Sequence, residues 1–156
     1  MAFAAGTGIL TFIDFVACIA RQALRATVGE KSSVNKSVTG GLETQNESQT
    51  WRFVLYASFL NEQQAIGLQL CEALDKFCKA KGLKDFKLVV RLSSSGEQKR
   101  WDETYIRDAL LEHQISVSDK VWVCGPPHMS EVFDRCFDSI LKDRFLGLTK
   151  SNLHVF

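Results

Sequence analysis

What this 156-residue chain lacks narrows its class. It has no excess of either charge: 19 Lys and Arg stand against 18 Asp and Glu, leaving a net charge of +1. No positive surplus is available to hold a polyanion, which argues against nucleic acid as a partner. The five cysteines (Cys18, Cys71, Cys78, Cys124 and Cys136) contain no Cys-x-x-Cys pair and are odd in number. That pattern implies neither a zinc site nor a full disulfide framework, so free thiols in a reducing compartment are expected. His113, His128 and His154 have no metal-like spacing, and no metal site is expected. No Ser-His-Asp set, paired-carboxylate site or internal repeat can be read. The opening Met-Ala-Phe-Ala-Ala-Gly-Thr-Gly has no basic residue and does not read as a secretory signal. The apolar run Ile9 to Ala20 is broken by Thr11 and Asp14 and stopped by Arg21, too short and polar for a bilayer span. A soluble chain is expected, in the cytoplasm or held at the cytosolic face of a membrane only through regions outside this sequence.

What is present is an alternation of short apolar runs with segments of helical period. Strands are expected at Ala2 to Ala5, Arg52 to Ser58, Phe86 to Leu92, Lys120 to Cys124 and Leu153 to Phe156. Between them the spacing predicts helices. The first runs from about Ile9 to Ala26 on a stripe of Ile9, Phe12, Ile13, Val16, Ala20 and Leu24, with Phe15 and Cys18 opposite, so burial on two faces is expected. The second is capped by Asn61, with Gln64 as its capping-box partner, buries Ile66, Leu70, Leu74 and Phe77, and ends at Lys79, Lys81 and Gly82. The third, from Glu103 to His113, buries Ile106, Ala109 and Leu110, with Asp102 as its cap. The last, His128 to Lys142, buries Met129, Val132, Phe133, Cys136 and Ile140. Residues 29–50 are rich in Ser, Thr, Asn, Gly and Lys and read as a flexible insertion. The pattern predicts one α/β domain over 1–156: a doubly wound parallel sheet of about five strands with helices on both faces. Ligands of such sheets bind beyond the carboxyl ends of the strands.

Two glycine turns fall at that edge. Gly6-Thr7-Gly8 joins a strand to a helix, where the backbone can approach a phosphate and the helix start offers unpaired N–H groups. Thr7 could add a hydroxyl donor. The turn departs from the ordinary dinucleotide fingerprint, because Thr11 stands where a third glycine is expected. No acid closes the second strand, which ends Tyr56-Ala57-Ser58-Phe59, and this counts against a standard NAD dehydrogenase. The second turn, Val123-Cys124-Gly125-Pro126-Pro127-His128-Met129, ends a buried strand, leaves room above it at the glycine and starts a helix on the prolines. The simpler structural reading is a rigid turn with Cys124 as a small buried hydrophobe. Gln98-Lys99-Arg100 could meet a 2′-phosphate or be a solvated loop.

Together, Ala4-Ala5-Gly6-Thr7-Gly8-Ile9-Leu10 and Val123-Cys124-Gly125-Pro126-Pro127-His128-Met129 resemble the ferredoxin–NADP reductase superfamily. The cytochrome-b5 reductase and ferric reductase/NADPH oxidase branches are the most similar, and the ending Asn152 to Phe156 resembles the terminal strand of the former. The resemblance implies an NAD(P)H-binding domain of an FAD-dependent oxidoreductase that passes hydride from nicotinamide to flavin and on to a haem or iron-type acceptor. It implies that Gly6, Thr7, Gly8 and Ile9 hold the pyrophosphate, and that Ser58, Phe59, Ser93 and Tyr105 border the adenosine. Cys124, Gly125 and Pro126 would line the nicotinamide pocket, with Cys124 as the catalytic candidate beside the hydride-donating carbon, Met129 as a further cofactor-binding residue and Phe156 near the flavin. Thr11 departs from the family's usual proline. The FAD-binding barrel that normally precedes the first strand is absent from the sequence, so FAD would be held by a domain supplied in cis or trans. A non-catalytic nucleotide-binding or interaction module that has lost its flavin domain is the alternative.

Overall fold

A computed structural model describes residues 1–29, 52–93, 101–142 and 147–156. Five strands, β1 (Ala2–Ala5), β2 (Phe53–Phe59), β3 (Phe86–Leu92), β4 (Val121–Cys124) and β5 (Leu153–Val155), alternate with four helices. These are α1 (Leu10–Gly29), α2 (Leu68–Lys81), α3 (Glu103–Glu112) and α4 (Pro127–Ile140). The strand order is β3-β2-β1-β4-β5 and every neighbouring pair is parallel. This is the doubly wound sheet that the apolar runs predict. The insertion at 29–50, apart from Gly29 at the end of α1, and the Gln98-Lys99-Arg100 run lie outside the described residues.

The alternation of side chains along β1 shows why both faces must be covered. Ala2 and Ala4 join Phe53, Leu55 and Ala57 under α1 and α2, whereas Phe3 joins Val54, Tyr56, Val121 and Val123 under α3 and α4. Phe3 is fully buried, its ring 5.0 Å from Phe133 and 5.2 Å from Tyr56. A buried aromatic of this kind contributes about 1.5–3 kcal/mol through area alone.

Two helices depart from the sequence expectation. Asn61 does cap, its Oδ1 accepting from the Gln64 amide at 3.1 Å, but the capped element is a single 3-10 turn, Glu62–Gln64. Gly67, at φ 78°, then starts α2 later than expected and turns a different stripe inward: Leu68, Cys71, Leu74 and Cys78, with Asp75. Ile66 and Leu70 are exposed, and Phe77 is half-buried. Along α1 the buried line is Ile9, Phe12, Val16, Ile19 and Ala23, while Leu10 and Leu24 face outward. Burial of α1 on two faces is therefore corrected to one principal face. As a continuous helical segment, Gly6–Arg25 is long and apolar enough to cross a membrane by length and composition, with mean hydropathy 1.4. A helix packed on a sheet core passes the same test, and here that buried line lies on β1 and β2.

Two polar groups hold the sheet to its helices. Asp75 accepts the amide of Leu88 on edge strand β3 at 3.0 Å and pairs with Lys79 at 2.6 Å. His113, almost fully buried after α3, reaches Tyr56 Oη at 3.0 Å and Arg52 at 3.1 Å. A guanidinium can only donate, so His113 Nδ1 accepts from Arg52 and Nε2 carries the proton toward Tyr56. Burial, with Lys87 and Arg52 nearby, holds the His113 pKa below its ordinary value, whereas burial and Glu112 push Tyr56 upward. The ring is thus neutral near pH 7, and its 3.8 Å approach to Glu112 is not an ion pair there.

Candidate functional site at the carboxyl edge

The chain leaves β1 for the helices of one face and β4 for those of the other, so the two strands part at their carboxyl ends. They are adjacent, with Ala4 opposite Cys124. This is the switch point of the sheet, where a crevice opens in folds of this kind. The two glycine turns, more than a hundred residues apart in sequence, meet there.

Each glycine in the pair of turns has a separate reason. Gly6, at φ 53°, turns the chain out of β1 in a conformation that side chains rarely adopt, and a Cβ placed on it would meet no atom within 4 Å. Gly8 is buried two residues on, in the 3-10 turn Gly6–Ile9 that runs directly into α1. A Cβ there would lie 2.2 Å from the Cys124 carbonyl oxygen and 2.9 Å from the Gly125 nitrogen. Gly8 thus lets the start of α1 rest on the end of β4. Gly125 is confined by side chains instead, since its Cβ would meet Met129 Sδ at 2.5 Å and Ala5 Cβ at 3.2 Å. Pro127 opens α4, and the Met129 amide bonds the Pro126 carbonyl at 2.8 Å.

No side chain caps the turn leading into α1 or the start of α4, and neither has an acidic residue in its first turn. Their leading N–H groups thus meet no side-chain cap and carry the positive end of the helix dipole, an arrangement suited to an anionic group. Thr7 is exposed beside them and Ser58 is half-buried opposite Ala5. Ser93 is exposed and donates to the Phe59 carbonyl at 3.3 Å.

Cys124 is half-buried. Its side chain points to the α1 face of the sheet, and its Sγ lies 3.1 Å from Thr11 Oγ1. Phe156 is 64 % exposed and its amide bonds the Val123 carbonyl at 3.0 Å, so the closing aromatic stands beside Cys124. Pro126 is exposed next to it.

Other predicted site residues serve the core. The side chains of Ile9, Phe59 and Met129 are buried at 0 %, 3 % and 2 % exposure, so a ligand could meet only their backbone. Apolar burial at the ends of β1, β2 and β4 takes these side chains inward. Tyr105 is engaged as well: its ring lies 4.0 Å from the Arg91 guanidinium, which also lies over Trp101 at 4.6 Å. Burial raises the Tyr105 pKa, with Arg91 acting the other way.

Sequence reasoning missed Thr11 as a partner of Cys124. The signal was its spacing: three residues after Gly8, it shares the helix face that meets β4. Arg91 was also missed, although it stands one residue before the end of an apolar strand and two before Ser93. Among the described residues, no group of His, Cys, Asp and Glu could hold a metal ion. An open depression of about 470 Å³ between α4 and β5, floored by Phe137, Leu141 and Leu153 and rimmed by Asp134, Asp138 and Lys150, includes neither glycine turn. Neither a protein-family model nor a curated protein matches the chain.

Proposed function

We propose that the chain is the NAD(P)H-binding domain of an FAD-dependent oxidoreductase, with the nicotinamide nucleotide seated at the carboxyl edge between β1 and β4. The observation that supports this reading most is the meeting of Gly6-Thr7-Gly8 with Cys124-Gly125-Pro126 at the switch point, with Thr11 bonded to Cys124 across it. The residues fit a dinucleotide. The open side of Gly6 and the uncapped turn after it suit the pyrophosphate, and Thr7 offers a hydroxyl beside them. Cys124, Gly125 and Pro126 would flank the nicotinamide, and the exposed ring of Phe156 would face a flavin.

When bound, the nicotinamide supplies the hydride and the flavin accepts it. The chain orients the nucleotide and narrows the approach to it; no residue here needs to carry the hydride. The flavin would be held by a partner domain in cis or trans, with a haem or iron-type centre as the final acceptor.

Calorimetric titration of the chain with NADH and NADPH tests the reading. Gly6→Asn keeps the left-handed turn, which Asn tolerates, and puts an amide into the open space. Affinity should fall about tenfold or more, roughly 1.4 kcal/mol. No heat from either nucleotide with the wild-type chain refutes the reading. Binding that supports no flavin reduction once a flavin domain is supplied would point to the non-catalytic module instead.

A further inference from the structure

We propose that Thr11 is the positioning residue for the Cys124 thiol, an inference that rests on the reading of this edge as a nicotinamide nucleotide site. The thiol is half-buried at the end of β4, and rotation about its Cα–Cβ bond could send Sγ either against α1 or into the space ahead of Gly125. Thr11 Oγ1, 3.1 Å from Sγ, holds it against α1. The helix that carries the hydroxyl is held in place, because Gly8 abuts the Cys124 carbonyl. The branched threonine side chain has only two favoured rotamers in a helix. Gly8 and Thr11 thus grip the backbone and the side chain of one residue from one helix face. The turn whose N–H groups suit the pyrophosphate also fixes the thiol that would border the nicotinamide. Thr11 thereby keeps the thiol out of the crevice and links its two halves.

The test is alkylation by iodoacetamide, followed cysteine by cysteine on the full chain by peptide mass spectrometry. Cys18 is exposed on the same helix and serves as an internal reference, while buried Cys71, Cys78 and Cys136 report on folding. Thr11→Val removes the hydroxyl that holds Sγ against α1, so the thiol can turn into the crevice. Alkylation of Cys124 should then speed up about threefold or more, because reactivity follows exposure. Thr11→Ser should restore the wild-type rate, and Cys18 should react equally in all variants. Thr11→Ala removes the same hydroxyl with less bulk and must agree with Thr11→Val. An unchanged Cys124 rate in Thr11→Val and Thr11→Ala overturns the proposal. So does a Ser variant as fast as Val, or a parallel change at Cys18, since either would mean that the helix as a whole had moved. Saturating NADH or NADPH should protect Cys124 and not Cys18 in the wild-type chain. Loss of that protection alone would refute the nucleotide reading and leave the Thr11–Cys124 result intact.

Discussion

Replacing Gly8 with alanine should damage the fold far more than a substitution at Gly6. The added Cβ would lie 2.2 Å from the Cys124 oxygen and 2.6 Å from its carbon, against the 3.4 Å or more of an ordinary contact. All the colliding atoms are backbone, so no side chain can rotate away. The start of α1 and the end of β4 must separate by about 1 Å, and Ile9 and Phe12 move with the helix. Overpacking costs about 1–3 kcal/mol, and a clash with backbone belongs at the upper end. For a chain of this size about 3 kcal/mol lowers Tm by roughly 6–12 °C. Gly6→Asn meets no atom within 4 Å and should cost about 1 kcal/mol or less, or roughly 2–4 °C. Thermal melts by circular dichroism distinguish the two. A Gly8→Ala chain melting within about 2 °C of wild type, or below which Gly6→Asn melts, would refute the packing argument.

Two further outcomes follow from the polar ties. The folded-state pKa of His113 lies below the ordinary 6.5, so the unfolded chain takes up a proton that the folded chain resists. Its contribution is fully present above pH 6.5 and is lost as pH falls below that value toward the folded pKa. The acid-side drop in stability should flatten in His113→Gln, and an identical drop in both proteins would show that the ring is not held neutral. Asp75→Ala removes the acceptor of the Leu88 amide and should cost about 1–3 kcal/mol in urea unfolding, whereas Asp75→Asn, which keeps an acceptor, should cost less. Equal losses in the two would assign the effect to the Lys79 pair instead.

The strands were legible because nearly all their residues are apolar and the chain has few other such runs. Phe86–Leu92 was read residue for residue, and the others to within a residue or so at each end. Helix registers were harder. On α2 the leucine and isoleucine spacing of Ile66, Leu70 and Leu74 suggested one stripe, but the structure turns Cys71 and Cys78 inward instead. Small thiols carry a weak signal next to Ile and Leu, yet Cys71 and Cys78 are fully buried in the core under α2. Gly67, by setting where the helix begins, decided which residues that stripe would contain. A capping signal such as Asn61 with Gln64 marks a turn start without fixing how long the turn continues.

The site was legible as two turns and illegible as a pair of contacts. Sequence can show that Gly6 and Gly8 flank a threonine, but not that one opens outward and the other rests on a carbonyl 116 positions away. That difference follows from strand order: only with β4 beside β1 does the face of α1 carrying Gly8 and Thr11 land on Cys124. The same order explains why Ile9, Phe59 and Met129 turned inward. Residues next to a binding edge share its sequence neighbourhood, while the pleat and the helix period send alternate ones to the core. A motif carried over position by position therefore includes both the groups that could meet a ligand and those that hold them in place. The glycines divide along that same line, and the Gly6 and Gly8 substitutions measure the two sides separately.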